Sequence, residues 1–133
     1  RQFDTDWAEM AMAEDIPLLA YSPLAAGLLS GKYAGDVTPD GTRRAVNADL
    51  GGRVTPQVFA AVAAWMGLAR EWNLDPCRMA LAFTRSRPYP CIPILGATAV
   101  EQLAINLSAA DLALPDELLA EIEALRRQHP APF

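Results

Sequence analysis

The stretch Ile16-Pro17-Leu18-Leu19-Ala20-Tyr21 decides how the rest of the chain is read. It is too short for a stable isolated helix and too apolar for a surface loop. A strand buried on both faces, as in a parallel sheet covered by helices, fits it best. Pro17 is tolerable because it stands at the strand's start. Before it, Trp7 to Glu14 reads as the end of a helix that Asp15 breaks. After it comes Ser22-Pro23-Leu24-Ala25-Ala26-Gly27, which opens a long segment, residues 22–54. That segment holds six glycines, two prolines and four basic residues. A connection of this length is commonly functional or disordered.

The second half repeats the alternation. Thr55-Pro56 predicts a helix start, with Thr55 as N-cap and Pro56 at the first helical position. Val58, Val62, Trp65, Ala69 and Trp72 then share one face at spacings of three and four, and Asn73 stops the helix. Asp75-Pro76 repeats the start signal for a helix through Met79, Ala80, Leu81 and Phe83 to about Ser86, ended by Pro88 and Pro90. Cys91-Ile92-Pro93-Ile94-Leu95 is again strand-like. Gly96-Ala97-Thr98 turns into a third helix, for which Thr98 and Glu101 predict a capping box and Val100, Leu103 and Leu107 an inward face. Leu114-Pro115-Asp116-Glu117 starts a last helix with an apolar stripe of Leu118, Ile122 and Leu125. Acids at its start and Arg126, Arg127 and His129 at its end suit the helix dipole.

Buried strands alternating with helices imply parallel β/α units. Two such strands leave both sheet edges open, so the chain reads as a piece of a larger sheet or barrel.

Composition narrows the function classes. Over half of the 133 residues are hydrophobic (52%), enough for a core in one domain. The net charge of −5 argues against a general nucleic-acid binder. No apolar run approaches the ~20 residues of a membrane span, and no signal peptide opens the sequence, so a cytoplasmic protein without membrane association is expected. Cys77 and Cys91 lack metal-site spacing, and His129 is the single histidine, against about four ligands for structural zinc. No metal site is expected, and both cysteines read as buried thiols in a reducing compartment.

Ligands of β/α folds sit at the C-terminal ends of strands. Small residues there let an anion approach backbone N–H groups, and a helix N-terminus adds partial positive charge. The Gly96-Ala97-Thr98 turn meets that requirement. Lys32, Arg43 and Arg44 read either as solvated surface charge or as cations that fold over a phosphorylated ligand.

At this point the residues carry a resemblance. The segment from Ala20 through Ser22-Pro23-Leu24 to Gly31-Lys32-Tyr33 resembles strand seven of the aldo-keto reductases. It is closest to the branch with the bacterial general oxidoreductases and the potassium-channel β subunits. Ile92-Pro93-Ile94-Leu95-Gly96-Ala97-Thr98 through Asn106-Leu107 is similar to that family's strand eight and following helix. The resemblance implies an α/β fold, the C-terminal part of a (β/α)8 TIM barrel spanning residues 1–133. It implies an oxidoreductase that reduces aldehydes or ketones with NADP, this chain supplying part of the cofactor site. Tyr21 would stack on the nicotinamide, and Ser22, Pro23, Leu24, Ala25 and Ala26 would line the pyrophosphate and ribose. Lys32 and Arg43, with Arg44 as the alternative to Arg43, would close over the cofactor. Gly96, Thr98, Gln102 and Asn106 would hold the adenosine end and its 2′-phosphate.

Two departures qualify the cofactor. Ile105 stands where many members have a Glu against adenine, and Gln102 where some have an Arg on the 2′-phosphate, which leaves NAD open. The family's catalytic Asp, Tyr, Lys and His lie on earlier strands and loops. None is carried here; Tyr33, Tyr89 and His129, like Trp65 and Trp72, read as structural. A non-catalytic NADP-binding regulatory subunit and an inactive partial barrel, associating through open strand edges, are the alternatives.

Overall fold

The computed structural model describes residues 2–130 and 132. Two short helices, α1 (Gln2–Asp6) and α2 (Ala8–Ala13), lead into strand β1 (Leu18–Tyr21). Asp15 takes the left-handed conformation (φ 51°) and ends the helical run, as its position before the apolar stretch predicts. A folded connection with the short helix α3 (Arg43–Val46) leads to α4 (Val58–Glu71) and α5 (Pro76–Arg85). Strand β2 (Cys91–Ile94), α6 (Val100–Ser108) and α7 (Asp116–Gln128) complete the order. The strands pair in parallel, with Leu18 opposite Cys91 and Tyr21 opposite Ile94.

The helical layer is fastened by an apolar cluster. Trp65, Leu68 and Ala69 of α4 meet Met79 and Ala80 of α5 and Leu118 and Ile122 of α7. Each fully buried aliphatic chain there contributes about 1.5–3 kcal/mol. Trp65 within α4 and Trp72 just after it satisfy their indole N–H groups across helices. Trp65 donates to the Pro76 carbonyl at 3.2 Å and Trp72 to Glu121 at 2.8 Å. The α5 start follows its sequence signal: the Asp75 carboxylate accepts from the Cys77 and Arg78 N–H groups at 2.9 Å.

Several expectations are corrected. The strands are covered on one face only. Leu18 and Cys91 are half-buried toward the helices, whereas Leu19 is 58% and Tyr21 77% exposed on the other side. The alternation follows from a single layer of helices over a two-stranded sheet. Thr55 does not cap α4, which begins at Val58; its hydroxyl donates instead to the Pro132 carbonyl, a partner 77 residues away. The Thr98–Glu101 capping box is absent, because α6 begins at Val100 and the Thr98 hydroxyl donates to Gln102 at 3.2 Å. Val100, Leu103 and Leu107 do not face inward: Val100 is 79% exposed, and Asn106 is the buried residue of α6. A helical period marks a face, but what covers that face is a tertiary matter.

The 22–54 connection is ordered around its own small core, in which Ala25, Leu28, Tyr33 and Leu50 pack with Val58 and Val62 of α4. Among the described residues no helix is long and apolar enough to cross a membrane.

Candidate functional site

The parallel register brings the two sequence motifs together. Because Tyr21 pairs with Ile94, the Ser22–Gly27 turn and the Leu95–Thr98 turn leave the sheet from neighbouring strands at the same end. Tyr21 presents an exposed aromatic face at that end.

The first turn is unusual in its backbone. Ser22, Ala25, Ala26 and Gly27 all have positive φ, at 57°, 50°, 57° and 97°. Three of these are not glycine, and each costs on the order of 1 kcal/mol. The turn is held from within. Ala25 N–H donates to the Ser22 carbonyl at 2.8 Å, Ala26 N–H to the Ser22 hydroxyl at 3.0 Å and Gly27 N–H to the Leu24 carbonyl at 2.9 Å. Those three N–H groups are therefore engaged in shaping the turn and are not free donors. Pro23 and Leu24 are half-buried beside them.

Positive charge over this turn comes from Lys32. A Cβ placed on Gly27 would lie 2.7 Å from Lys32 Cε and 3.0 Å from Nζ, so the lysine side chain folds back across the turn. Its ammonium stands 5.1 Å from the centroid of the Tyr33 ring. No carboxylate lies within ion-pair distance of it among the described residues.

The adjacent arginines part company. Arg43 is exposed. Arg44 is 8% exposed and inside the connection, where it pairs with Asp36 and donates to the Val37 carbonyl at 2.9 Å and the Ala48 carbonyl at 3.4 Å. Its guanidinium also lies 5.3 Å from the Phe59 ring centroid. Neither sequence reading of Arg44, solvated charge or alternative phosphate ligand, is compatible with those commitments.

At the second turn Gly96, Thr98 and Gln102 are exposed together. Thr98 N–H and hydroxyl both donate to the Gln102 amide oxygen, at 3.1 and 3.2 Å. That fixes the Gln102 side chain and leaves its NH2 group as a donor. Among the described residues no side chain caps the α6 N-terminus, and Ala99, Val100 and Glu101 at its start are exposed. Asn106, by contrast, is only 6% exposed and does not share that open surface.

A second polar constellation lies at the opposite end of the strands and was not visible in the sequence. Asp4 accepts from Tyr89 at 2.6 Å and pairs with Arg87 at 3.1 Å and Arg126 at 2.5 Å. Glu123 pairs with the same two arginines, each at 2.7 Å, and both guanidiniums stand just over 5 Å from the Phe83 ring centroid, at 5.1 and 5.3 Å. Burial alone would raise the Asp4 carboxyl, but the hydrogen bonds from Tyr89 and Arg126 and the charges of both arginines hold it below its ordinary range. Burial likewise opposes Glu123, which Arg87 and Arg126 pull down. Burial and the bond to Asp4 push Tyr89 up to about 12. No spacing rule links residues 4, 87 and 126, which only the fold assembles. The constellation ties α1 to the entry of β2 and to α7, a structural fastening. A cavity of about 670 Å3 runs inward from it between sheet and helices, lined by Val62, Trp65, Ala80 and Ile122 among others. Its largely apolar walls belong to the interlayer core and extend to Ser22, Pro23 and Ala25 of the first turn; Tyr21, Lys32, Gly96 and Thr98 are not among them.

A parallel β/α unit with a strained, small-residue turn, a lysine outside any ion pair among the described residues and a helix start at one strand end is the local architecture of a β/α-barrel end. Comparison with known families makes the class specific. A model of the Aldo/keto reductase family matches residues 1–127, and the chain belongs to that family of TIM-barrel oxidoreductases. Protein tas of Escherichia coli is 40% identical over 134 residues, covering 99% of this chain and 39% of that protein. A putative voltage-gated potassium channel subunit beta of Schizosaccharomyces pombe is 30% identical, covering 92% of this chain and 38% of that protein. The structure of a glycerol dehydrogenase from Gluconobacter oxydans superposes with a TM-score of 0.76 at 24% identity, covering 100% of this chain and 41% of that one, a likeness of fold. The chain thus spans about two fifths of the length of these relatives.

Proposed function

We propose that this chain is the C-terminal portion of an aldo-keto reductase barrel, its strands seven and eight, and carries part of the site for NADP. The intact protein reduces an aldehyde or ketone to an alcohol. The observation that carries this reading is the meeting, at one strand end, of exposed Tyr21, acid-free Lys32 and the uncapped start of α6. An aromatic face, a cation outside any ion pair among the described residues and a helix start suit a nicotinamide, a pyrophosphate and a nucleotide phosphate respectively.

When bound, the reduced nicotinamide supplies the hydride. The residues of this chain bind and orient it. Tyr21 offers a stacking surface, and the Ser22–Ala26 turn, whose Ala25 and Ala26 N–H groups are engaged internally, supplies shape and close approach. Lys32 supplies charge. Arg43, exposed beside the locked Arg44, is a further cation of the connection. Thr98 engages the Gln102 amide oxygen, which leaves the amide NH2 as a donor to the nucleotide. An amide carries no charge, so NADP is preferred over NAD by hydrogen bonding and the α6 dipole rather than by an ion pair. Asn106 takes part only if α6 shifts, given its burial. The proton donor for the new alcohol comes from the rest of the protein.

The test is to follow oxidation of NADPH and NADH by the full-length protein with simple aldehydes and ketones. Turnover, faster with NADPH, is expected. No turnover with either cofactor, despite binding, would favour a second reading: a non-catalytic, dinucleotide-binding subunit, to which the similarity with the Schizosaccharomyces pombe channel-subunit protein points.

A further inference from the structure

Gly27 sits in the strained turn after β1 with φ +97°, and the space where its side chain would stand is filled by the end of Lys32. A Cβ there would be 2.7 Å from Lys32 Cε, closer than carbon atoms approach without displacement, and 3.5 Å from the Tyr33 ring. Tyr33 is completely buried, in the core of the 22–54 connection, and does not move aside. The lysine chain therefore runs through a slot with the bare Cα of Gly27 on one side and a fixed aromatic ring on the other. Its ammonium is 5.1 Å from that ring's centroid, a cation–π arrangement that holds the charge without neutralising it. No carboxylate competes for it among the described residues.

We infer that Gly27 is a positioning residue for Lys32: its missing side chain leaves the slot that sets where the ammonium stands above the turn following β1. This rests on the reading of Lys32 as a phosphate-binding cation. The atom that must yield to a new Cβ is the far end of a flexible side chain, not backbone. A small residue at position 27 therefore redirects Lys32 before it disrupts the fold. Tyr33 completes the slot by its ring face; its hydroxyl is buried without a hydrogen-bond partner and takes no part.

A double-mutant cycle tests this in the full-length protein, with NADPH dissociation constants read by quenching of tryptophan fluorescence. Lys32→Ala weakens binding by about tenfold or more, the loss of a charge-assisted contact. Gly27→Ala in the wild-type background weakens it by roughly tenfold, and in the Lys32→Ala background by less than about twofold, because the chain it displaces is gone. The backbone strain at φ +97° is the same in both backgrounds, so the drop in melting temperature is equal while the binding effect is not. Equal binding losses from Gly27→Ala with and without Lys32 would overturn the inference and make Gly27 a purely structural turn residue. A normal affinity in Lys32→Ala would refute the phosphate role of Lys32 instead. Failure of the wild-type protein to bind NADPH would refute the dinucleotide reading itself, and the inference with it.

Discussion

Replacing Asp4 with Ala should lower stability at neutral pH and flatten its acid dependence. Asp4 is the hub of the fastening at the N-terminal end of the strands, accepting from Tyr89, Arg87 and Arg126. Its side chain is 20% exposed, and those of Arg87 and Arg126 are 19% and 17% exposed, so solvent screens the pairs only in part. A hydrogen bond to a charged group is worth roughly 1.5–3 kcal/mol, and breaking a buried pair from one side costs about 3–5 kcal/mol. Both arginines keep Glu123 after the change, so the lower end applies, about 2–3 kcal/mol. For a chain of this size that is a fall in Tm of roughly 5–12 °C.

The sign of the pH dependence follows from the depressed carboxyls. Asp4 and Glu123 both titrate below their ordinary values of 3.8 and 4.5. Their stabilisation is therefore fully present above about pH 5 and lost as pH falls through the lowered folded values. Thermal melts by circular dichroism from pH 7 down to pH 3 should show a steep acid limb in the wild type and a shallower one in Asp4→Ala. Asp4→Asn, which keeps an acceptor oxygen without the charge, should fall between. Tyr89, held up to about 12 by burial and by Asp4, should titrate closer to 10 in Asp4→Ala when followed by its ultraviolet absorbance. Superimposable melts and an unmoved tyrosine titration would refute the reasoning.

Asp75→Ala removes the acceptor of two helix-start N–H groups and should cost about 1 kcal/mol, visible as a few degrees of Tm, with α5 otherwise intact. Arg44→Ala should loosen the connection that it pins through Asp36, Val37 and Ala48; limited proteolysis should then cut within residues 36–53 well before the wild type is cut. The Cys77 thiol is pushed up to about 11 by burial and by Asp75. At pH 8 it should react with a disulfide reagent about a hundredfold more slowly than an unperturbed thiol of pKa 9, and similar rates for native and unfolded protein would contradict its burial.

What could be read from the sequence was local or periodic. Asp75-Pro76 caps its own helix, two residues from the N–H it serves. The apolar stripe of Leu118 and Ile122 is buried as its spacing requires. The two apolar runs are parallel strands because short runs separated by helices have few other solutions. The two turns proposed for the site follow these strands, whose parallel pairing sets Tyr21 opposite Ile94.

What only the tertiary structure decided are choices of partner between residues far apart in sequence. Thr55, a sound N-cap by local rules, bonds instead to Pro132. Arg43 and Arg44 are indistinguishable as letters, yet one is exposed and the other is consumed by Asp36 and two carbonyls, because the connection folds around the second. Val100, Leu103 and Leu107 have the period of an inward face but nothing among the described residues to cover them. Asp4 reaches Arg126 across 122 positions. Local sequence sets propensity within a turn or two of backbone; which side chain meets a distant partner is settled by the packing of whole elements, and that is where Lys32 found the gap left by Gly27.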